Sequence, residues 1–135
     1  MKKLFLACLF LLGLCFLPFA HASAATQSSD TMILEWRAEK AWIDKGDLCL
    51  RGTFTNKRKD LSITKINQFV TEITFTRADG SKYQYVAMPT KMPLVKISAG
   101  GTRTVTFNLG HFEDTWKDWG ATEDYTFTYI TGKRW

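Results

Sequence analysis

Apolar and polar residues alternate along this chain in short runs separated by turn residues. Met32, Leu34, Trp36 and Ala38 share one parity against Ile33, Glu35 and Arg37, the period-2 mark of a half-buried strand. A short irregular piece with Trp42 and Ile43 follows, and Asp44-Lys45-Gly46-Asp47 reads as a turn because glycine takes positive φ at little cost. Leu48, Leu50, Gly52 and Phe54 then oppose Cys49, Arg51, Thr53 and Thr55, and Asn56 closes that strand. From Ile63 to Phe75 apolar groups occupy both faces, which predicts a bend or bulge near Asn67-Gln68 or a strand that changes partner. Asp79-Gly80 suits the primed turns of a hairpin, with Lys82 to Met88 as the return strand. Pro89 and Pro93 interrupt pairing, and Leu94 to Ile97 is expected as a short edge strand. Val105, Phe107 and Leu109 alternate with Thr104, Thr106 and Asn108. Residues 110–122 read as a long connection with one helical turn around Asp114 to Trp119, and Glu123 to Thr131 as the closing strand.

These segments amount to about seven short strands with no helix-length 3.6-residue period, which predicts an all-β antiparallel sandwich over residues 32–135. Residues 25–31 are small and polar and read as a flexible lead. Ahead of them, Lys2 and Lys3, the apolar run Leu4 to Phe19, and the small residues ending at Ala24 form the three parts of a secretory signal, with cleavage expected after Ala24. The run is shorter than the roughly 20 residues that a membrane-spanning helix needs.

Composition matters chiefly once the signal is subtracted. The formal charge falls from +5 to +3 as Lys2 and Lys3 leave, and Cys8, Cys15 and His21 leave with them. The remaining 111 residues hold one cysteine, Cys49, and one histidine, His111. Stability must therefore come from the core rather than from an internal disulfide. A balance of +3 is too small to imply nucleic acid as a partner.

Several quoted features occur together in a recognisable order: Gly52-Thr53-Phe54-Thr55-Asn56, an apolar strand, Asp79-Gly80, a second strand, then Ile97-Ser98-Ala99-Gly100-Gly101 before Val105-Thr106-Phe107. That order resembles the Ig-like sandwiches of bacterial envelope proteins, notably the SLAP (surface-layer-associated) and FxLYD-type domains. Trp116-Lys117-Asp118-Trp119 leading into Tyr125-Thr126-Phe127 is similar to the closing strand of SLAP-type domains. The resemblance implies an Ig-like fold and a non-catalytic module, exported by a bacterium to the periplasm, cell surface or medium. It implies a partner among envelope proteins or glycopolymers.

Candidate chemistry is sparse. One histidine gives no Ser-His-Asp or Cys-His arrangement, and one His with one Cys makes zinc a poor fit, so neither a catalytic site nor a metal or cofactor is expected. Glu113, Asp114 and Asp118, with Glu123 and Asp124 beyond, form an acidic run that would carry a small hydrolase as the third reading. The candidate binding residues are aromatic and basic. Trp42, Trp116, Trp119, Tyr83 and Tyr85 would stack on sugars if exposed together, which is the carbohydrate- or cell-wall-binding alternative. Lys57, Arg58 and Lys59 form a loop suited to anionic glycopolymers or lipid headgroups. Cys49 is expected as a buried thiol, with a disulfide-linked dimer as the alternative.

Overall fold

The computed structural model describes residues 25–28 and 31–132. The signal segment, its cleavage site at Ala24, and Trp135 lie outside the described residues. The strands in chain order are β1 (Ala25–Ser28), β2 (Leu34–Asp44), β3 (Asp47–Asn56), β4 (Leu61–Thr76), β5 (Lys82–Ala87), β6 (Thr102–His111) and β7 (Asp118–Thr131). They form two antiparallel sheets, one of order β1-β7-β4-β5 and one of order β2-β3-β6. The fold is all-β among the described residues.

The turns follow the sequence closely. Lys45 and Gly46 both take positive φ (53° and 87°), the two-residue loop that matches the right-handed twist of paired strands. Gly80 sits at φ 90° in the β4–β5 connection, where the Asp79 carboxylate accepts from the Ser81 amide at 2.9 Å. The ladder between β4 and β7 shifts register at Ile63/Lys65 and again at Ile66/Gln68, so the expected irregularity near Asn67 is present.

The inner faces of the two sheets share one core. Its centre is aromatic: Phe69 of β4 stacks on Phe107 of β6 with ring centroids 4.4 Å apart, and Trp36 of β2 meets Phe69 edge-on at 5.0 Å. Phe54 of β3 meets Tyr125 of β7 at 5.6 Å. The Tyr125 hydroxyl donates to the Leu34 carbonyl at 2.5 Å, so a buried polar tip also ties one sheet to the other. Phe54, Phe69, Phe107 and Phe127 are fully buried, as their alternation predicts.

The Gly52–Asn56 signature has a mechanical explanation here. The Trp36 indole lies over Gly52, and a Cβ there would come within 2.5 Å of the Arg37 carbonyl oxygen. Two residues on, Phe54 enters the core, and two further on Asn56 is 1% exposed. Its amide nitrogen donates to the carbonyls of Leu61 (3.0 Å) and Ser98 (3.1 Å), and its side-chain oxygen accepts from the Arg58 amide. The Asn56 backbone N–H donates to the Gly101 carbonyl at 2.8 Å. One side chain thus joins the β3–β4 turn to the 98–101 turn.

Four expectations are corrected. Ala25–Ser28, read as part of a flexible lead, pairs with β7 as β1, since Thr126 to Tyr129 offer it an open edge. Trp42 and Ile43 lie within β2, because the Lys45-Gly46 turn lets the hairpin continue to Asp44. Leu94 to Ile97 makes only a single bridge among the described residues, Ile97 to Ile63, because the segment crosses from the sheet of β5 to that of β6. The helical turn around Asp114 to Trp119 is absent: β7 already begins at Asp118 and pairs with Thr76.

Candidate functional site

The aromatic and basic candidates fall at three places. At the end of the fold carrying the β4–β5 turn, residues 112–117 run as a strap. Lys117 donates its backbone N–H to the Thr76 carbonyl at 2.8 Å. Phe112 and Trp116 project from the strap onto Phe75, with ring centroids 5.1 and 4.6 Å away. Tyr83 stacks on the same ring at 5.3 Å, and Tyr85 meets Phe112 at 4.9 Å. Trp119, the first inward residue of β7, lies opposite Phe75 and is half-buried. Trp116, Trp119, Tyr83 and Tyr85 are therefore brought together, but as a lid packed on the core.

An electrostatic latch holds the lid. The Arg77 guanidinium lies 4.0 Å over the Tyr83 ring and donates to Asp114 at 2.9 Å. The Arg77 bond holds the Asp114 carboxyl below its ordinary range, and the Thr115 amide adds to this. Burial, followed by the nearby Asp114 charge, pushes the Tyr83 phenol upward. Phe112 is the member that sequence reasoning missed. Its surroundings, His111-Phe112-Glu113-Asp114-Thr115, carry no apolar alternation that would have located it.

Trp42 is elsewhere. It pairs with Cys49 on the outer face of the β2-β3-β6 sheet, and Lys40 lies 5.1 Å above its ring. That face continues through hydroxyls and ion pairs: Thr53 bonds Thr104 at 3.1 Å and Glu39 at 2.7 Å, and Arg51 approaches Glu39 at 3.8 Å. Cys49 is a buried free thiol whose titration is pushed up by burial and then by Asp44 and Asp47.

Lys57, Arg58 and Lys59 sit at the opposite end, in the turn organised by Asn56. Lys57 pairs with Glu35 at 3.7 Å, and Arg58 makes a two-pronged pair with Asp60 at 2.8 and 2.5 Å. Lys59 lies alongside Gly100 of the neighbouring turn. All three are exposed.

The acidic run is divided among partners. Glu113 accepts from His111 at 2.7 Å, and that bond raises the exposed imidazole's pKa. Asp114 belongs to the latch, and Asp118 caps the Trp119 amide at 2.9 Å. Glu123 is half-buried in mid-strand, where desolvation and then Asp124 raise its carboxyl. No group of three His, Cys, Asp or Glu side chains able to hold a metal ion occurs among the described residues.

No family model matches the chain, and no curated protein matches it. One solved structure, the Northeast Structural Genomics Consortium target SoR45, is similar over 84% of this chain and 79% of its own length. Its identity is 9% and the TM-score 0.25, so the likeness carries no argument about fold or function.

Proposed function

We propose that this chain is an exported, non-catalytic Ig-like β-sandwich that binds within the bacterial envelope. The observation that carries the reading is the Asn56 device. The residues that give the sequence its SLAP- and FxLYD-like character join turns and sheets, so recognition falls to the surfaces around them. The pairing of β3 with β6 and of β4 with β7 in separate sheets supports the Ig-like assignment. Those are the relations of strands B and E, and of C and F, in that fold. β1 takes the place beside β7 that a closing strand G would hold. The signal-like segment ending at Ala24 supports export.

Co-sedimentation of the chain from Ala25 onward with isolated bacterial envelopes tests this. Saturable binding is expected; a chain that stays in the supernatant at all concentrations would refute it.

A second reading is favoured by the outer face of the β2-β3-β6 sheet. Trp42 at one end of a field containing Thr53, Thr104 and the Arg51–Glu39 pair offers a stacking ring beside sugar-compatible hydroxyls and charges. Titrating Trp fluorescence with envelope polysaccharides tests that face. A response lost in Trp42→Ala and kept in Trp116→Phe is expected, and no response refutes it.

A further inference from the structure

Four strands end the two sheets, β1 and β5 in one and β2 and β6 in the other. A sheet edge is a row of unpaired backbone groups that invites a further strand, and native folds blunt it. Three of these edges are blunted. β1 is four residues long. β2 shifts register at Ala38/Lys40, an irregularity that twists an edge away. β6 is accompanied by residues 90–96: the Thr90 N–H donates to the Asn108 carbonyl at 2.8 Å, and the Arg103 guanidinium donates to the Lys96 carbonyl at 3.2 Å. β5 has no such device. Lys82–Ala87 holds no proline, pairs with β4 without a register shift, and borders no further strand among the described residues.

Which groups of β5 face outward follows from its turn. Residues opposite one another in an antiparallel pair alternate between exchanging hydrogen bonds and turning them away. The Arg77 N–H donates to the Ser81 carbonyl at 2.8 Å, so bonding continues at Phe75/Tyr83, Ile73/Tyr85 and Thr71/Ala87. The N–H and C=O groups of Lys82, Gln84 and Val86 therefore point away from β4. No hydrogen bond to them from beyond β4 occurs among the described residues. All three residues are exposed, Val86 by 63%.

This edge is complementary to itself. A second copy of β5 laid antiparallel uses all three outward residues in one register: Lys82 with Val86, Gln84 with Gln84, and Val86 with Lys82, about a two-fold axis at Gln84. Glu72 of β4 lies opposite Val86. In that register the second copy's Lys82 arrives on the other side of Val86, two strand spacings or about 10 Å from Glu72 between backbones. A lysine and a glutamate side chain together span this distance, with the lysine stem covering Val86. The two-fold axis repeats the pair, Glu72 of each copy with Lys82 of the other. Neither residue forms an ion pair within the chain among the described residues.

The geometry points to the β5 edge as the interface of a symmetric dimer, in which a second copy of this chain extends the β1-β7-β4-β5 sheet into one continuous sheet. A foreign strand would meet the same backbone groups, but a second β5 supplies a lysine to each Glu72 by symmetry. The inference goes beyond the envelope reading and needs nothing from it.

Sedimentation velocity of the chain from Ala25 onward, over a range of concentrations in reducing buffer, is the test. That form carries all seven strands. A reversible monomer–dimer equilibrium is expected. Lys82→Glu and Glu72→Lys, each alone, set like charges together at both pairs and should weaken the dimer roughly tenfold. Mixed, the two variants should form a heterodimer of about the native affinity, because both opposite-charge pairs return; damage inside one chain would not be rescued in this way. Gln84→Pro removes an outward N–H that the single chain does not use, so it should leave the monomer's circular dichroism unchanged and abolish the dimer. The inference is overturned if the chain is monomeric at every concentration, if its dimer requires an oxidised Cys49, if a folded Gln84→Pro still dimerises, or if the mixture associates no better than its components. Should Gln84→Pro fail to fold, the mixing experiment decides alone.

Discussion

Replacing Asn56 by alanine should unsettle two turns at once, and the structure allows the size of the effect to be worked out. The side chain makes three hydrogen bonds, to the Leu61 and Ser98 carbonyls and from the Arg58 amide. Each is worth about 1 kcal/mol net in a folded protein. The bond to Leu61 is buried, so its carbonyl would be left unpaired at an added cost of roughly 1 kcal/mol, while the other two sites are partly open to water. The total is about 3 to 4 kcal/mol, a large share of the 5–15 kcal/mol typical of a domain. For a domain of this size that corresponds to a fall of roughly 15 °C in Tm. Urea titration followed by Trp fluorescence, with a thermal scan by circular dichroism, measures both. Asn56→Asp is the sharper variant. It keeps the shape and the acceptor for Arg58, but sets a carboxylate against two carbonyls that need a donor. It should be at least as damaging as alanine at neutral pH. A loss below about 1 kcal/mol in Asn56→Ala, or a well-tolerated Asn56→Asp, would refute the claim that this side chain joins the turns.

Gly52→Ala should cost at least about 2 kcal/mol, because the added methyl meets the Arg37 carbonyl and the Trp36 ring, and denaturant titration checks it. Cys49, buried with its thiol titration raised, should resist a thiol reagent in the native state and react once urea unfolds the chain; rapid native labelling would contradict its placement. Glu123 has a folded pKa above its unfolded value, so the stability linked to its protonated form is complete below the unfolded pKa and lost as pH rises through the folded one. Glu123→Gln should therefore raise stability at pH 7 and flatten the pH profile above the ordinary glutamate range. Asp114 has the opposite sign. Its contribution is present above the unfolded pKa and lost as pH falls through the depressed folded value, so the lid's Trp116 emission should change in acid, and Arg77→Ala, which removes the latch at every pH, should abolish that change.

How much could be read from the chain differs between layers of structure. The strands of the core were legible because Phe54, Phe69, Phe107 and Phe127 sit on strict alternation, and the hairpins because Asp44–Asp47 and Asp79-Gly80 carry specific turn chemistry. β1 was not, since Ala25-Thr26-Gln27-Ser28 has no apolar alternation and its pairing depends on the open edge of β7. Leu94–Ile97 misled because Val95 and Ile97 do alternate into the core, yet the segment crosses between sheets and forms no ladder. The aromatic candidates could be named but not sorted. Nothing local distinguishes Trp42, on an outer face, from Trp116, which a latch between residues 37 apart in sequence holds onto Phe75. The basic loop was visible as Lys57-Arg58-Lys59, while its joining with Lys96 and Arg103 is a consequence of the turns meeting through Asn56.

The central claim, an exported module resident in the envelope, meets its most direct test in the intact mass of the protein recovered from fractionated bacteria producing the full 135-residue chain. The account expects a chain beginning at Ala25 in the envelope fraction. A full-length chain recovered from the cytoplasm would contradict it.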